Sequence, residues 1–144
     1  MKDSGLTESQ LVDAYKKEVR SLVELAVPVW NSGLTLNQVI KIERVQKCAM
    51  SAILGTKFTS YEDSMKDLNL EGLSTRRSQI CSKFISKNMK SNKPLLQTVK
   101  KSHNTRSSHE LVKEFQCNSK LYYTSSLPFL ARLFNINLKS KKKK

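Results

Sequence analysis

Residues 35–55 read TLNQVIKIERVQKCAMSAILG, and this stretch carries a full set of helix signals. Thr35 and Gln38 have the spacing of a capping box, in which each side chain accepts a hydrogen bond from the other residue's free backbone N–H. Gly55 suits the position after a helix, where the left-handed backbone conformation is common. The stretch therefore predicts one long helix. Its buried face is predicted from apolar residues at helical spacing, which are Val39, Ile42, Val45, Ala49, Ala52 and Ile53.

The same start signal occurs upstream of this helix. Thr7 and Gln10 have the spacing of another capping box, and Pro28 ends the helix near Ala26. Because only a short link separates the two helices, they are predicted to form a helical hairpin. The predicted buried face of this first helix consists of Leu11, Val12, Tyr15, Val19, Leu22, Val23 and Ala26.

The rest of the chain adds shorter signals of the same kind. Ser60 is placed to cap a short helix to about Leu68, and Ser74 to cap a third long helix to about Lys90. Pro128 suits the first position of a small C-terminal helix. Four glycines and three prolines are too few for the many turns of a sandwich or barrel. The predicted fold class is all-α.

Composition predicts four segments along the chain. Residues 1–90 are predicted to form a helical domain, because they contain the capped apolar repeats. Residues 91–120 are polar over most of their length and are predicted to form a mobile linker. Residues 121–138 form a C-terminal segment with a short helix, and residues 139–144, KSKKKK, are predicted to be a disordered polylysine tail.

Charge is distributed unevenly between the two halves of the chain. Residues 1–73 contain nine Lys and Arg against ten Asp and Glu, whereas residues 74–144 contain seventeen against two. All of the net charge of +14 therefore comes from the second half. Such asymmetry predicts a polyanionic partner, either nucleic acid or an anionic membrane surface.

The expected compartment is intracellular, either nuclear or cytoplasmic. No apolar run approaches the roughly 20 residues that span a bilayer, and the N-terminus lacks the apolar stretch of a signal peptide. The three cysteines are odd in number and widely spaced, so a disulfide framework is not expected. This cysteine usage predicts that the chain is found in a reducing compartment.

Catalytic and metal-binding patterns are weak throughout the sequence. Glu62 and Asp63 are the only adjacent acids, and their placement at a helix start favours interaction with the helix dipole over metal-dependent catalysis. His103, His109 and Cys117 lack the close pairing of a zinc site. We therefore expect no cofactor, no metal and no catalytic residue.

The basic residues of the third long helix form a possible binding surface. Arg76, Lys83, Lys87 and Lys90 fall within about 60° of one another at 100° per residue. They would either follow the phosphates of a nucleic acid or form an ordinary solvated face. Arg77 points instead into the apolar side of the helix, so it needs a partner, either an acid on a neighbouring helix or free carbonyls at a helix end.

The polylysine tail is a second basic surface, made of Lys141, Lys142, Lys143 and Lys144. It would bind RNA without sequence preference, act as a nuclear-import signal, or only increase solubility. Stacking on single-stranded bases is not favoured by the sequence, because the basic segments contain no interleaved aromatics. Tyr122 and Tyr123 are the one pair that looks exposed.

Three blocks of the chain resemble a known family. Residues 20–31, RSLVELAVPVWN, are similar to the R..LEYASPVWN block of non-LTR (LINE-type, jockey-like) retrotransposon reverse transcriptases. Residues 42–55 are similar to the IERVQKRA…ILG block of that family. Tyr122 and residues 127–135, LPFLARLFN, are similar to its Y..S.IPYL.RLLN terminus. Between the second and third blocks, further residues match the family in the expected order and spacing: residues 59–62, 68–70, Leu73, Arg76, Arg77, Cys81, Lys83 and Phe84. The resemblance extends from about Gly5 to Asn135 and is weakest over residues 91–120.

In that family the blocks follow the catalytic palm. The resemblance therefore implies a truncated thumb and post-palm region, with a thumb-like helical domain over residues 1–90 that grips the template–primer duplex by its backbone. Arg76, Arg77, Lys83 and Lys87 are the contacts that it carries over to this chain. The fingers, the palm and the metal-binding aspartates are expected to be absent, so no catalysis is expected.

The favoured hypothesis is a non-catalytic remnant that binds RNA or an RNA/DNA duplex without sequence specificity, and that has no membrane partner. A helical interaction module is the alternative, because loss of the palm would uncover Val12, Leu22 and Val23. Exposed apolar surface of this kind drives self-association or recruits partners. A gene-fragment product without a selected function is also compatible with the sequence.

Overall fold

A computed structural model of the chain describes residues 5–91, 96–99 and 111–140. These residues are mostly helical, so the all-α prediction is confirmed. Two strands of two residues each, β1 (Thr98–Val99) and β2 (Leu111–Val112), pair antiparallel and were not predicted. The α-helices are α1 (Glu8–Ala14), α2 (Ser21–Glu24), α3 (Val27–Trp30), α4 (Leu36–Leu54), α5 (Tyr61–Asp67), α6 (Leu73–Met89), α7 (Lys120–Thr124) and α8 (Ser126–Ser140).

The chain divides into two compact units. The first unit comprises Met1–Val27 and Leu34–Arg77, and the second comprises Pro28–Gly33 and Ser78–Lys144. The division differs from the predicted boundary at residue 90, because it falls inside α6. Neither capping signals nor composition mark such a position, since the helix continues across it.

The first helical segment begins where the sequence predicts, but it is not regular. The Thr7 hydroxyl accepts a hydrogen bond from the N–H of Gln10, whose side chain accepts one from the N–H of Thr7 at 2.9 Å. After α1 the backbone forms a π-helical segment, Tyr15–Arg20, before α2. The Ser21 hydroxyl donates to the carbonyls of Lys17 and Glu18. Such local bonds compete with regular helical pairing.

Helix α4 has the predicted capping box and the predicted stop. The Thr35 hydroxyl accepts from the N–H of Gln38, and Gly55 follows the helix with a φ of 57°. The buried face differs from the predicted one, because Val45 and Ala52 are exposed while Gln46 is buried. Two 3₁₀ segments, Asn31–Gly33 and Gly55–Lys57, flank the helix. The core cluster of the first unit contains Val12, Tyr15, Met50, Ile53 and Leu70.

The second unit contains most of α6 and all of α7 and α8. Helix α8 is longer than the predicted small helix, so Lys139 and Ser140 belong to it and their assignment to the disordered tail was wrong. Residues 141–144 lie outside the described part of the chain. The buried apolar residues of this unit are Cys81, Ile85, Leu96, Val112, Leu130 and Ala131.

The described residues of the predicted polar linker are anchored by buried side chains and hydrogen bonds. Leu96 and Val112 are buried, and the N–H of Lys113 donates to the carbonyl of Gln97 at 2.9 Å. The side-chain amide of Asn135 holds Val112 from α8, accepting from its N–H and donating to its carbonyl, both at 3.0 Å. These contacts fix β2 against α8.

Candidate nucleic-acid interface

Three lysines of the second unit form what we call the lysine face, which consists of Lys83, Lys87 and Lys90. All three side chains are exposed. Lys90 follows the last residue of α6, and its N–H donates to the carbonyl of Lys87 at 3.2 Å, so the turn continues the helix. Within the described residues no salt bridge involves any of them. The lysine face therefore offers three ammonium groups to a ligand.

Arg76, the fourth member of the predicted stripe, is held by acids of the first unit. Its guanidinium donates to both carboxylate oxygens of Glu24, with Nη2 to Oε2 at 2.9 Å, and lies 3.7 Å from Glu71. Arg20 lies 3.4 Å from the same Glu24 carboxylate. Hydrogen bonding from Arg76 lowers the pKa of Glu24 and raises the pKa of Arg76 itself. Arg76 therefore has carboxylate partners inside the fold.

Arg77 is only 3% exposed and is paired within the first unit. Its Nη1 lies 3.4 Å from Oε1 of Glu43, which confirms the acidic partner that its position required. The Tyr61 hydroxyl donates to the other oxygen of Glu43 at 2.9 Å. Burial, followed by the hydrogen bond to Glu43, raises the pKa of Tyr61 above its ordinary value. This cluster positions α4, α5 and the start of α6.

Glu62 and Asp63 lie in the first turn of α5, as the sequence indicated. The Ser60 hydroxyl donates to Oδ2 of Asp63 at 2.7 Å and accepts from its N–H at 3.2 Å. This exchange caps the helix. Among the described residues no group of three His, Cys, Asp or Glu side chains lies close enough to hold a metal ion. The Cys117 thiol donates to the carbonyl of Phe115 at 3.3 Å.

Other predicted residues lie outside the described part of the chain. They are His103, His109 and the tail residues Lys141, Lys142, Lys143 and Lys144. None of the described helices combines the length and the apolar character needed to cross a membrane.

Most of the aromatic cluster at the surface of the second unit could not be predicted from the sequence. Tyr122 and Tyr123 are 43% and 51% exposed, as expected. Tyr122 makes an edge-to-face contact with Phe115, with ring centroids 6.3 Å apart. The guanidinium of Arg132 stacks 3.7 Å from the ring centre of Tyr123 and donates to its carbonyl at 2.7 Å. Sequence spacing gave no signal for these pairings, because the partners lie on different elements.

The arrangement can bind an anion, but the sites described above show no activated nucleophile. Ammonium groups at successive helical turns suit a regularly spaced polyanion. Among the acids of these sites, Glu24 and Glu43 are held in ion pairs and Asp63 takes part in a helix cap. No protein-family model matches the sequence, and neither curated proteins nor solved structures give a match.

Proposed function

We propose that this chain is a non-catalytic remnant of a retroelement reverse transcriptase that binds the backbone of RNA or of an RNA/DNA duplex. The observation that carries the proposal is the lysine face, whose members are exposed and have no described acidic partner. The resemblance of the ordered blocks to a thumb and post-palm region supports the retroelement origin.

The spacing of the lysine face suits a phosphate backbone. Seven residues separate Lys83 from Lys90, which corresponds to about 10 Å along a helix at 1.5 Å per residue. Each strand of a duplex carries a phosphate about every 3.4 Å along its axis, so this length covers about three phosphates. Because such contacts ignore the bases, the proposed binding is not sequence-specific.

Arg76 and Arg77 are less suited to this role than the lysines. Both have acidic partners within the first unit, and moving Arg77 out of its buried position would leave Glu43 without its ion pair. We therefore place the proposed contacts on Lys83, Lys87 and Lys90. The four terminal lysines would add further non-specific contacts, and truncation after Ser140 is expected to weaken binding without removing it.

A titration of the full chain with an RNA/DNA duplex at 50 and 200 mM salt tests the proposal. Binding through phosphate contacts should be measurable at low salt and should weaken steeply at high salt, because each contact releases counterions. Absence of binding at 50 mM salt would refute it. Affinity that does not change with salt would also contradict a backbone interface.

Self-association through an apolar surface is the second candidate function. The first unit has an open groove of about 300 Å³, lined almost entirely by apolar side chains. Leu22 is 72% exposed, whereas Val12, which was expected to be uncovered, is buried in the core. The lining residues of the groove are Leu11, Ala14, Tyr15, Glu18, Val19, Ala49, Ala52 and Ile53.

Light scattering at increasing protein concentration separates the two functions. Association through apolar surface should persist at high salt, whereas nucleic-acid binding should not. Val19→Lys places a charge in the groove and should disperse any oligomer. A monomeric chain at high micromolar concentration would contradict self-association.

A further inference from the structure

A cleft in the second unit lies beside the aromatic cluster. It has a volume of about 640 Å³, within the range of small-ligand sites. Among the described residues that line it, Phe115 and Leu127 are apolar. The polar lining residues are Gln97, Lys113, Glu114 and Gln116.

We propose that this cleft binds an unpaired base of single-stranded nucleic acid, with Phe115 as the stacking surface. The proposal rests on the proposed function in one respect, that the partner is nucleic acid, and it adds the class of nucleic acid and the base-binding residues. Every base has a flat apolar face that stacks on an aromatic ring. A base inside a duplex is already stacked and paired, so only a single strand can offer it.

The walls of the cleft are held in place by contacts among the lining residues and with neighbouring side chains. The edge-to-face contact with Tyr122 fixes the ring of Phe115. The hydrogen bond from the N–H of Lys113 to the carbonyl of Gln97 joins two of the polar lining residues. Glu114 accepts a hydrogen bond at 3.2 Å from the amide of Asn135, which is itself buried. The cleft is therefore largely preformed, which lowers the entropic cost of binding.

The polar lining matches the chemistry of a nucleotide. The amides of Gln97 and Gln116 each carry donors and an acceptor, as do the hydrogen-bonding edges of bases. Lys113 is exposed and can pair with a phosphate, while the Glu114 carboxylate can accept from an exocyclic amino group. These groups would orient a base, whereas Phe115 would supply the stacking.

Charge favours a nucleic acid over a peptide as the occupant. The second unit contains fifteen Lys and Arg against two Glu. Lys113 and Glu114 line the cleft, and the guanidinium of Arg132 belongs to the adjacent aromatic cluster. An anionic ligand with aromatic groups is complementary to this surface in both charge and shape.

The test compares an oligothymidine 12-mer with an abasic strand of the same length and charge. The intact chain should bind the thymidine strand more tightly, because only that strand offers bases. Phe115→Leu keeps an apolar wall but removes the ring, and should reduce binding of the thymidine strand by about 5- to 150-fold. It should leave the affinity for the abasic strand and the salt dependence unchanged.

Phe84→Leu is the matched control, because Phe84 is an aromatic residue of similar exposure, 40% against 37%, that does not line the cleft. It should bind both strands like the intact chain, and circular dichroism should show unchanged helix content in both variants. Equal affinity of the intact chain for the two strands would overturn the proposal. Backbone binding by the lysine face could still hold in that case, since it is measured separately on duplex.

Discussion

Replacing Lys83, Lys87 and Lys90 with glutamine removes the three charges of the lysine face and leaves side chains of similar length and helix propensity. In B-form duplex each phosphate contact contributes about 0.9 to the slope of log affinity against log salt. The triple variant should therefore show a slope that is smaller by about 2.7. Between 50 and 200 mM salt the affinity of the intact chain should then fall about 40-fold more than that of the variant.

Fluorescence anisotropy with a labelled duplex measures this slope over a series of salt concentrations. The matched control is Lys41→Gln with Arg44→Gln and Lys47→Gln, which removes three exposed charges from α4 in the first unit. Because both variants lose the same net charge, a general electrostatic effect would change both slopes equally. The interface predicts a large change only for the variant of the lysine face.

Two results would refute the reasoning. A variant whose slope equals that of the intact chain would show that Lys83, Lys87 and Lys90 do not bind phosphates. An equal decrease in the α4 control would show that binding follows total charge rather than a defined surface. Circular dichroism on both variants guards against loss of folding, since all six side chains are exposed and their replacement should leave the core intact.

Three further predictions concern the first unit. Thr35→Ala removes the cap of α4 and should lower the free energy of unfolding by about 1 kcal/mol, measured by urea titration; an unchanged midpoint would contradict the capping role. Arg77→Met leaves Glu43 with Tyr61 as its remaining described partner and should lower the free energy of unfolding by about 3 kcal/mol, the lower end for a broken buried pair. A variant as stable as the wild type would contradict a stabilising role of this ion pair. Because Arg76 lowers the pKa of Glu24 below its ordinary value of 4.5, the pair stabilises the fold above that pH and less as pH falls through the lowered value. Urea midpoints from pH 7 to 3 should therefore fall less steeply in Glu24→Gln, and identical profiles would argue against this ion pair.

Local signals in the sequence predicted the caps at Thr7, Thr35 and Ser60 correctly. Two other starts were misplaced, because α6 begins at Leu73, before the predicted Ser74 cap, and α8 begins at Ser126, before Pro128. A capping box needs only residues within one helical turn, so Thr7 and Thr35 could be recognised without knowledge of the fold. The acidic partner of Arg77 was also predictable as a requirement, because a buried guanidinium needs compensation. The identity of that partner, Glu43, was not, since it depends on how α4 packs.

Features that depend on tertiary contacts were missed. Gln46 is buried and its side-chain amide donates to the carbonyl of Glu71 at 3.1 Å, and the spacing of apolar residues gives no sign of this bond. The cleft beside Phe115 requires residues 97, 113–116 and 127 to come together. Neither composition nor periodicity brings such distant positions together, so the sequence argued against base stacking.

The amide of Asn135 also has a consequence for how the protein behaves in a crowded solution. An exposed strand edge offers free N–H and C=O groups on which another chain can add a strand, which is a common route to aggregation. In β2 the outward-facing N–H and C=O of Val112 are both taken by one side chain of α8. The strand pair is thus closed to intermolecular pairing at this position, and Asn135→Leu would leave both backbone groups of Val112 without this partner.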